Sequence, residues 1–524
     1  MREYYTRFCE NLGLKYSGLL DKMNGKNIYQ YIITSFCAIL IFGIFQKSAI
    51  AQEDDRPNIL FFLVDDLGMN DLGTYNPDTF YETPNIDRLA ENGMKFTDAY
   101  GTNPVCSPSR FSIVTGKYPS RHDATNWFCG DRSGRFLSAE MNCYMPKDEF
   151  TVAQSFQEAG YKTFFAGKWH LGEDPAKWPE NQGFDINKGG WTYGSPGAPG
   201  RFSHYAPYNN PRLEEGPEGE YLVERLTDEV TQFLQNHGED PFFAMFSFYQ
   251  VHTPLEAPED LVAKYEQKAE ELGLTDVDVF VEEEQVWPTD DPRLVRVVQN
   301  HPVYAAMVES MDRAVGRVLD ELQTQGYDDN TIVVFTSDDG GLATSEGHPT
   351  SNQPLRGGKG WVYEGGLRGP LIISWPGVTY PGSISSVQTI TTDLYPTFLE
   401  MAGLPLREEQ HIDGISIVPV IKGEASSLNR DALYWHYPNY SNQGGFPGGA
   451  IRMEEWKLIE RYEDGSVHLF NLDEDIEEQN DISEKHPERV QKMRDKLHQW
   501  YEEVDAKFLR AREDGPEPWE PGRE

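Results

Sequence analysis

Two pairs of adjacent carboxylates, Asp65-Asp66 and Asp338-Asp339, are the first residues in this sequence that could do chemistry together. A single aspartate after a strand usually caps a turn or helix. Two pairs side by side would repel one another unless a cation sat among them. All-oxygen ligation favours a hard ion, Ca2+ or Mg2+, over zinc. Three further stretches carry acid/base groups and cations: Gly167-Lys-Trp-His-Leu-Gly172 with Lys168 and His170, Val251-His-Thr-Pro254 with His252, and Arg356-Gly-Gly-Lys-Gly360 with Lys359. A lone strand-end histidine is more often structural than catalytic. Two of them with two lysines and a metal would provide proton transfer and a seat for an anion. Cys106-Ser-Pro-Ser-Arg110 fits none of these schemes. A zinc site would bring more Cys or His at short spacing, and a disulfide needs only a distant partner, so neither explains the pentapeptide as a unit.

These residues need a frame that gathers strand ends. Asn58–Val64 is a continuous apolar run ending in Asp65-Asp66, which reads as a strand buried on both faces. Further strands are expected at Lys162–Ala166, Phe242–Tyr249, Thr331–Ser337 and Pro370–Trp375, and helices at Thr83–Gly93, Val152–Ala159 and Val303–Gln323. This alternation predicts an α/β fold, a large mostly parallel sheet with helices on both faces. Ligands in such sheets collect beyond the carboxyl ends of strands, where both Asp pairs fall. Trp178–Tyr221, rich in Gly, Pro, Tyr and Asn, and the acidic Lys264–Asp291 read as long functional insertions. Beyond a polar boundary near Lys422–Arg430, strands at Tyr434–Tyr440, Gly449–Ile459 and Ser466–Asn471 and a helix at Pro487–Val504 predict a smaller α+β subdomain with an antiparallel sheet. The expected organisation is a signal peptide over residues 1–51, a catalytic domain over 52–428, the C-terminal subdomain over 429–512 and a loose tail over 513–524.

The formal net charge of −39 argues against nucleic acid as a partner, because phosphate binding needs a basic surface. It also means that any anion site must concentrate its own lysines and arginines. Near the N-terminus, the apolar run Tyr31–Phe45 would span roughly 22 Å as a helix, short of a ~30 Å hydrocarbon core. Ala49-Ile50-Ala51 is a small-residue cleavage pattern, so export with cleavage after Ala51, to the periplasm or outside, is expected, without stable membrane insertion. Met23 is an alternative start, and Cys37 lies within the run itself. Three cysteines then remain. Export permits a disulfide, and Cys129 with Cys143 would close a short loop and leave Cys106 alone.

Taken in order, the Asp-Asp strand end, Cys106-Ser-Pro-Ser-Arg110 followed by Thr115-Gly116, Gly-Lys-Trp-His, His-Thr-Pro and Gly-Gly-Lys with Glu364-Gly-Gly are similar to the motifs of type I sulfatases of the alkaline phosphatase superfamily. The resemblance runs from Asn58 to about Ile459. It implies that Cys106 lies in a Cys-x-Pro-x-Arg signature read by a maturation enzyme, which oxidises it to Cα-formylglycine. It further implies Ca2+ held by Asp65, Asp66, Asp338, Asp339 and residue 106, and a hydrated aldehyde that attacks sulfur and is transiently sulfated. Lys168 and Lys359 would hold sulfate oxygens, and Arg110 would orient the diol. His252 would protonate the departing alcohol, and His170 would take the proton that expels sulfate. The family commonly has Asp-Asn at the second pair, so Asp339 departs from that pattern and adds a negative charge beside the sulfate.

For the substrate, the long insertions and C-terminal cover resemble a bacterial carbohydrate sulfatase acting in polysaccharide degradation. His122, Trp191, His204, His436 and Arg452 are the candidate residues for holding a sulfated sugar, with Trp127 and Tyr193 in the same segments. Two rival readings are a formylglycine-dependent phosphonate monoester or phosphodiester hydrolase and a silent sulfated-glycan-binding protein. The latter has no need for a nucleophile with two histidines and two lysines.

Overall fold

Asn58–Val64 forms β1, and all of its residues are buried. Leu60, Phe62 and Val64 enter one core, whereas Ile59, Phe61 and Leu63 enter another. The uninterrupted apolar run is thus a strand with both faces covered, the alternation being between two cores rather than core and water. In this computed structural model the described residues are 56–130, 132, 134–287 and 292–522. The expected signal segment, including Tyr31–Phe45 and Ala49-Ile50-Ala51, lies outside them.

The other strands of the main sheet are β2 (Met94–Tyr100), β3 (Lys162–Gly167), β4 (Ile186–Lys188), β5 (Phe242–Ser247), β6 (Thr331–Ser337), β7 (Arg368–Ser374), β8 (Ser383–Ser385) and β9 (Thr389–Ile390). Their order is β8-β2-β7-β6-β1-β5-β3-β4, with β9 also paired to β2. The pairings are parallel except for those of β7 with β6 and with β2. Register decides what meets at the carboxyl edge. Val64 lies opposite Ser337, so Asp65-Asp66 and Asp338-Asp339 leave adjacent strands together. Ser247 lies opposite both Leu63 and Gly167, which brings the segments after β5 and β3 to the same edge.

Helices cover both faces, as expected. On one side pack α1 (Pro84–Asn92), α4 (Leu222–Asn236), α5 (Glu259–Glu271) and α6 (Pro302–Gln325). On the other pack α2 (Cys106–Thr115), α3 (Val152–Glu158) and α7 (Leu394–Met401). β2, α2, α4 and α7 go beyond the sequence expectation. The acidic insertion needs correcting as well, because Lys264–Glu271 belongs to α5, whose Leu261, Tyr265 and Ala269 face the core at helical spacing.

The C-terminal sheet runs β10 (Leu433–Tyr437), β11 (Gly448–Met453), β12 (Trp456–Arg461) and β13 (Val467–Asn471), all antiparallel. The single strand expected over Gly449–Ile459 is a hairpin whose turn places Glu454 at φ 55°. It is covered by α8 (Pro487–Glu503), and the described residues form one compact unit with the main sheet. The tail expected to be loose is anchored at Trp519, which stacks on Tyr462 with ring centroids 6.1 Å apart and touches Phe508 and His498. Aromatic burial holds it there. Among the described residues, no helix is long and apolar enough to cross a membrane.

Candidate active site

The pentapeptide at Cys106 acquires its logic from α2. Cys106 is the first residue of the helix, Pro108 lies in the first turn, where a missing N–H costs nothing, and Arg110 is one turn on. That spacing sets Arg110 beneath residue 106 on the same helix face. The helix ends at Gly116, whose φ of 71° is the left-handed conformation glycine adopts most readily. All ten residues of α2 are buried. Its N-terminus, with free N–H groups and a partial positive charge, points into the site.

Arg110 is the keystone beneath that end. Its Nε donates to Asp338 Oδ2 at 2.7 Å, and its Nη1 donates to Lys168 O at 2.9 Å and to Ser247 Oγ at 2.7 Å. Its Nη2 meets Asp65 Oδ1 at 3.4 Å. One guanidinium therefore ties together the ends of β1, β3, β5 and β6. Ser247, which the sequence reading did not single out, also donates to Lys168 O at 2.6 Å. Its signal was a hydroxyl closing the apolar run Phe242–Phe246.

Lys168 Nζ contacts both Asp65 oxygens, at 2.7 and 2.5 Å, and Lys359 Nζ contacts both Asp66 oxygens at 2.7 Å. His252 Nε2 is 3.8 Å from Asp66 Oδ2, and Cys106 Sγ is 3.5 Å from His170 Nδ1. Asp66 and His170 both have φ of 60°, uncommon for residues with a Cβ and a mark of backbone held for function. Gly194, from the first insertion, lies so close to the His170 ring that a Cβ there would be 2.3 Å from Cε1.

The electrostatics follow from burial and charge. Burial favours neutral Asp66, but Lys359, His252 and Lys168 outweigh it and hold its carboxyl well below the usual range. Asp338 moves the other way, to about 6, because burial and Asp65 outweigh Arg110 and Lys168. Asp339 is pushed well up by burial together with Asp66 and Asp338. His252 is lowered to about 4 by burial and Lys359, and His170 is lowered by burial and Lys168. Burial raises the Cys106 thiol despite both lysines, so the unmodified side chain is a protonated thiol and a poor nucleophile.

Asp339 carries the test of a metal. It is 1% exposed, and among the described residues neither carboxylate oxygen has a hydrogen-bond partner. A buried carboxylate without a donor is costly unless something else takes its lone pairs. Ligand oxygens of Asp66, Asp338 and Asp339 lie within 4.8 Å of one another. Ionised as ligation requires, the four aspartates outnumber Arg110, Lys168 and Lys359 by one charge, and a bound dication would reverse that sign in favour of an anionic substrate. This all-oxygen donor set fits a hard divalent cation.

Residues 57–404 match the family model for sulfatases, and residues 358–507 match that for the C-terminal region of N-sulphoglucosamine sulphohydrolase. The chain belongs to the sulfatase family. As a sulfatase it is a sulfuric ester hydrolase. It is 31% identical to a sulfatase of Formosa agariphila, over 89% of this chain and 93% of that one. It is also 31% identical to N-acetylgalactosamine-6-sulfatase of Mus musculus, over 72% and 68% of the two chains. The crystal structure of Ps i-CgsB in complex with k-i-k-neocarrahexaose superposes with a TM-score of 0.68 at 29% identity, over 85% of this chain and 92% of that chain.

Several residues expected to hold the sugar lie elsewhere in this sulfatase. His122 is a correction: beyond the far end of α2, its Nε2 pairs with Glu149 at 2.6 Å and its ring packs on Phe111. His436 is another, buried between Tyr462 Oη at 2.6 Å and Lys507 O at 2.9 Å within an aromatic cluster. Arg452 is a third, its charge spent on Asp98 at 2.6 Å and on the Tyr100 hydroxyl. Trp191 stays beside the site, its carbonyl accepting from the His170 N–H at 3.3 Å. His204 is fully buried behind His252 and is a correction as a substrate contact. Cys129 and Cys143 form a disulfide, and among the described residues Cys106 is the free, buried cysteine.

Proposed function

We propose that this sulfatase hydrolyses sulfate esters of an oligo- or polysaccharide, with residue 106 as its nucleophile after conversion of Cys106 to formylglycine. The observation that carries this reading is the meeting of residue 106, at a helix N-terminus, with Lys168, Lys359, His170 and His252 over Arg110. Asp65, Asp66, Asp338 and Asp339, with residue 106, would hold Ca2+. The ion would supply Lewis-acid activation at sulfur and at the nucleophile. Lys168 and Lys359 bind and orient the sulfate and offset charge that develops during transfer. His252 Nδ1 donates to Thr253 O at 2.7 Å, which turns Nε2 toward the leaving alcohol; Nε2 acts as the acid in the imidazolium form, which the negative charge of a bound sulfate beside Lys359 and Lys168 favours. His170, held neutral by burial, takes the proton from residue 106 that releases sulfate.

The sugar assignment is supported by the relatives named above and by the rim. Trp127 is 36% exposed, and its Nε1 donates to Asn442 Oδ1 at 3.3 Å. Asn442 in turn donates to Glu346 Oε1 at 2.8 Å. Phe128 N donates to Ser107 Oγ at 3.3 Å, which ties the Trp127 segment to the residue beside 106. An exposed indole edged by amide and carboxylate groups suits a sugar ring. Export is supported by Tyr31–Phe45 with Ala49-Ile50-Ala51 and by the disulfide.

The decisive experiment is desulfation of a panel of defined sulfated oligosaccharides with positional product analysis, run beside paired phosphate and phosphonate esters. Turnover that favours sulfate esters is expected; a higher kcat/KM on phosphonate monoesters would overturn the reading. Mass spectrometry should find formylglycine in the peptide containing position 106. Cys106→Ser should lose steady-state turnover, and full activity of that variant would exclude the proposed nucleophile.

A further inference from the structure

The first insertion contributes a histidine that touches no solvent and yet is joined to the general acid. His204 is fully buried, with Nε2 3.1 Å from the backbone oxygen of His252 and Nδ1 3.1 Å from Gln250 Nε2. Its protonation state follows from its partners. A carbonyl oxygen can only accept, so Nε2 must carry the proton. Burial lowers the imidazole to about 4, so the ring is neutral and Nδ1 is left as an acceptor for the Gln250 amide. Both ring nitrogens are thereby used, and the ring cannot turn without breaking two buried hydrogen bonds.

The backbone behind the ring is as firmly fixed. His204 N and Ser203 Oγ both donate to Glu256 Oε2 at 2.7 Å, and His204 O accepts from Leu222 N at 2.7 Å. Tyr221 Oη donates to the backbone oxygen of Glu256 at 2.8 Å. On the far side, Gln250 O accepts from Asp65 N at 3.0 Å and Val251 N donates to Asp65 O at 2.8 Å. His204 thus bridges a pinned insertion and the short segment that presents His252 beside Asp65 and Asp66.

We propose that His204 is a positioning residue that sets the carbonyl of His252, and with it the aim of His252 Nε2 toward the leaving oxygen. The inference rests on the proton-donor role given to His252 above. Its distinctive consequence is dependence on the leaving group. 4-Nitrophenolate leaves as a stable anion and needs little protonation, whereas phenolate from phenyl sulfate needs much more.

The test measures kcat and KM for both aryl sulfates with wild type, His204→Leu, His204→Gln and His252→Ala. His204→Leu should lower kcat on phenyl sulfate about ten-fold more than on 4-nitrophenyl sulfate, with KM little changed. His204→Gln, whose amide N–H can still donate to the His252 carbonyl, should recover most of that loss. Gln250→Met, which removes the donor to Nδ1, should show a smaller effect of the same sign and serves if the Leu variant does not fold. Equal losses on both esters, or a Gln variant no better than Leu, would reduce His204 to packing and overturn the proposal. If His252→Ala itself shows no leaving-group discrimination, the proton-donor reading fails and the inference about His204 falls with it.

Discussion

Asp339 is where the chemistry of one residue can be separated from that of its neighbours. Its oxygens have no donor among the described residues, and burial with Asp66 and Asp338 makes its charge unfavourable. Asp339→Asn keeps a carbonyl oxygen and removes that charge. Without metal the Asn variant should therefore unfold above wild type, by about 1 °C for each ~1 kcal/mol gained in a chain of this length. With Ca2+ as the proposed ion, stabilisation grows with the logarithm of its affinity, so the calcium-induced rise in Tm should shrink in Asp339→Asn and vanish in Asp339→Ala. Thermal unfolding in chelator and in excess calcium checks this; equal calcium shifts in all three proteins would move the metal away from Asp339. The residues proposed for catalysis were legible because their types are rare in apolar surroundings and fall at strand ends. His122, His436 and Arg452 were not, because type alone cannot reveal that a neighbour has already claimed the side chain. Glu149, Tyr462 and Asp98 are those neighbours, each distant in sequence.

Among elements, the C-terminal sheet is fastened to the segment after Lys359 by buried charge. Lys457 on β12 lies 2.9 Å from Glu364 and 2.9 Å from Glu478, all fully buried, and Glu364 N donates to Glu478 Oε2 at 2.6 Å. Burial pushes Glu478 up to about 7, with Lys457 opposing and Glu364 adding. For Glu364 burial also acts upward, but Lys457, Arg368 and Arg452 outweigh it and hold the carboxyl at about 2. The two glutamates therefore oppose each other in pH. Between the unfolded value of 4.5 and about 7, the folded chain keeps a proton on Glu478 that the unfolded chain has lost, so stability falls as pH rises through that window. The contribution of Glu364 is complete above 4.5 and is lost as pH falls toward about 2. Glu478→Gln should remove the upper limb, gaining on the order of 3 kcal/mol over wild type between pH 5 and 8. Unfolding curves at the two pH values decide it, and a constant difference would reject the assignment. The main strands could be read because long apolar runs end in charge. The β11–β12 hairpin could not, because its turn, Glu454-Glu455, contains no glycine, asparagine or proline. Nor could α2, whose residues are buried on every side and so leave no polar face to give a helical period.

At the scale of the whole molecule, two opposite fields act on an anionic substrate. The chain carries a formal net charge of −39, whereas Arg110, Lys168, Lys359 and the α2 N-terminus, together with the proposed dication, outweigh the four site aspartates at one point. The site is buried, with Lys168 0% exposed, so its attraction works over contact distances and is little screened. The surface repulsion is solvent-exposed and long in range, and salt weakens it as the Debye length falls from about 30 Å at 0.01 M to about 8 Å at 0.15 M. A sulfated polysaccharide meets that surface with many charges at once, whereas a small aryl sulfate brings one. Raising sodium chloride across that range should therefore increase kcat/KM on the polymer several-fold through KM, leave kcat nearly unchanged, and affect the aryl ester much less. The measurement is a pair of salt titrations at fixed pH and saturating calcium. A kcat/KM on the polymer that falls with salt would mean that a basic groove outweighs the net charge, and would direct attention to lysines and arginines outside the catalytic edge of the sheet.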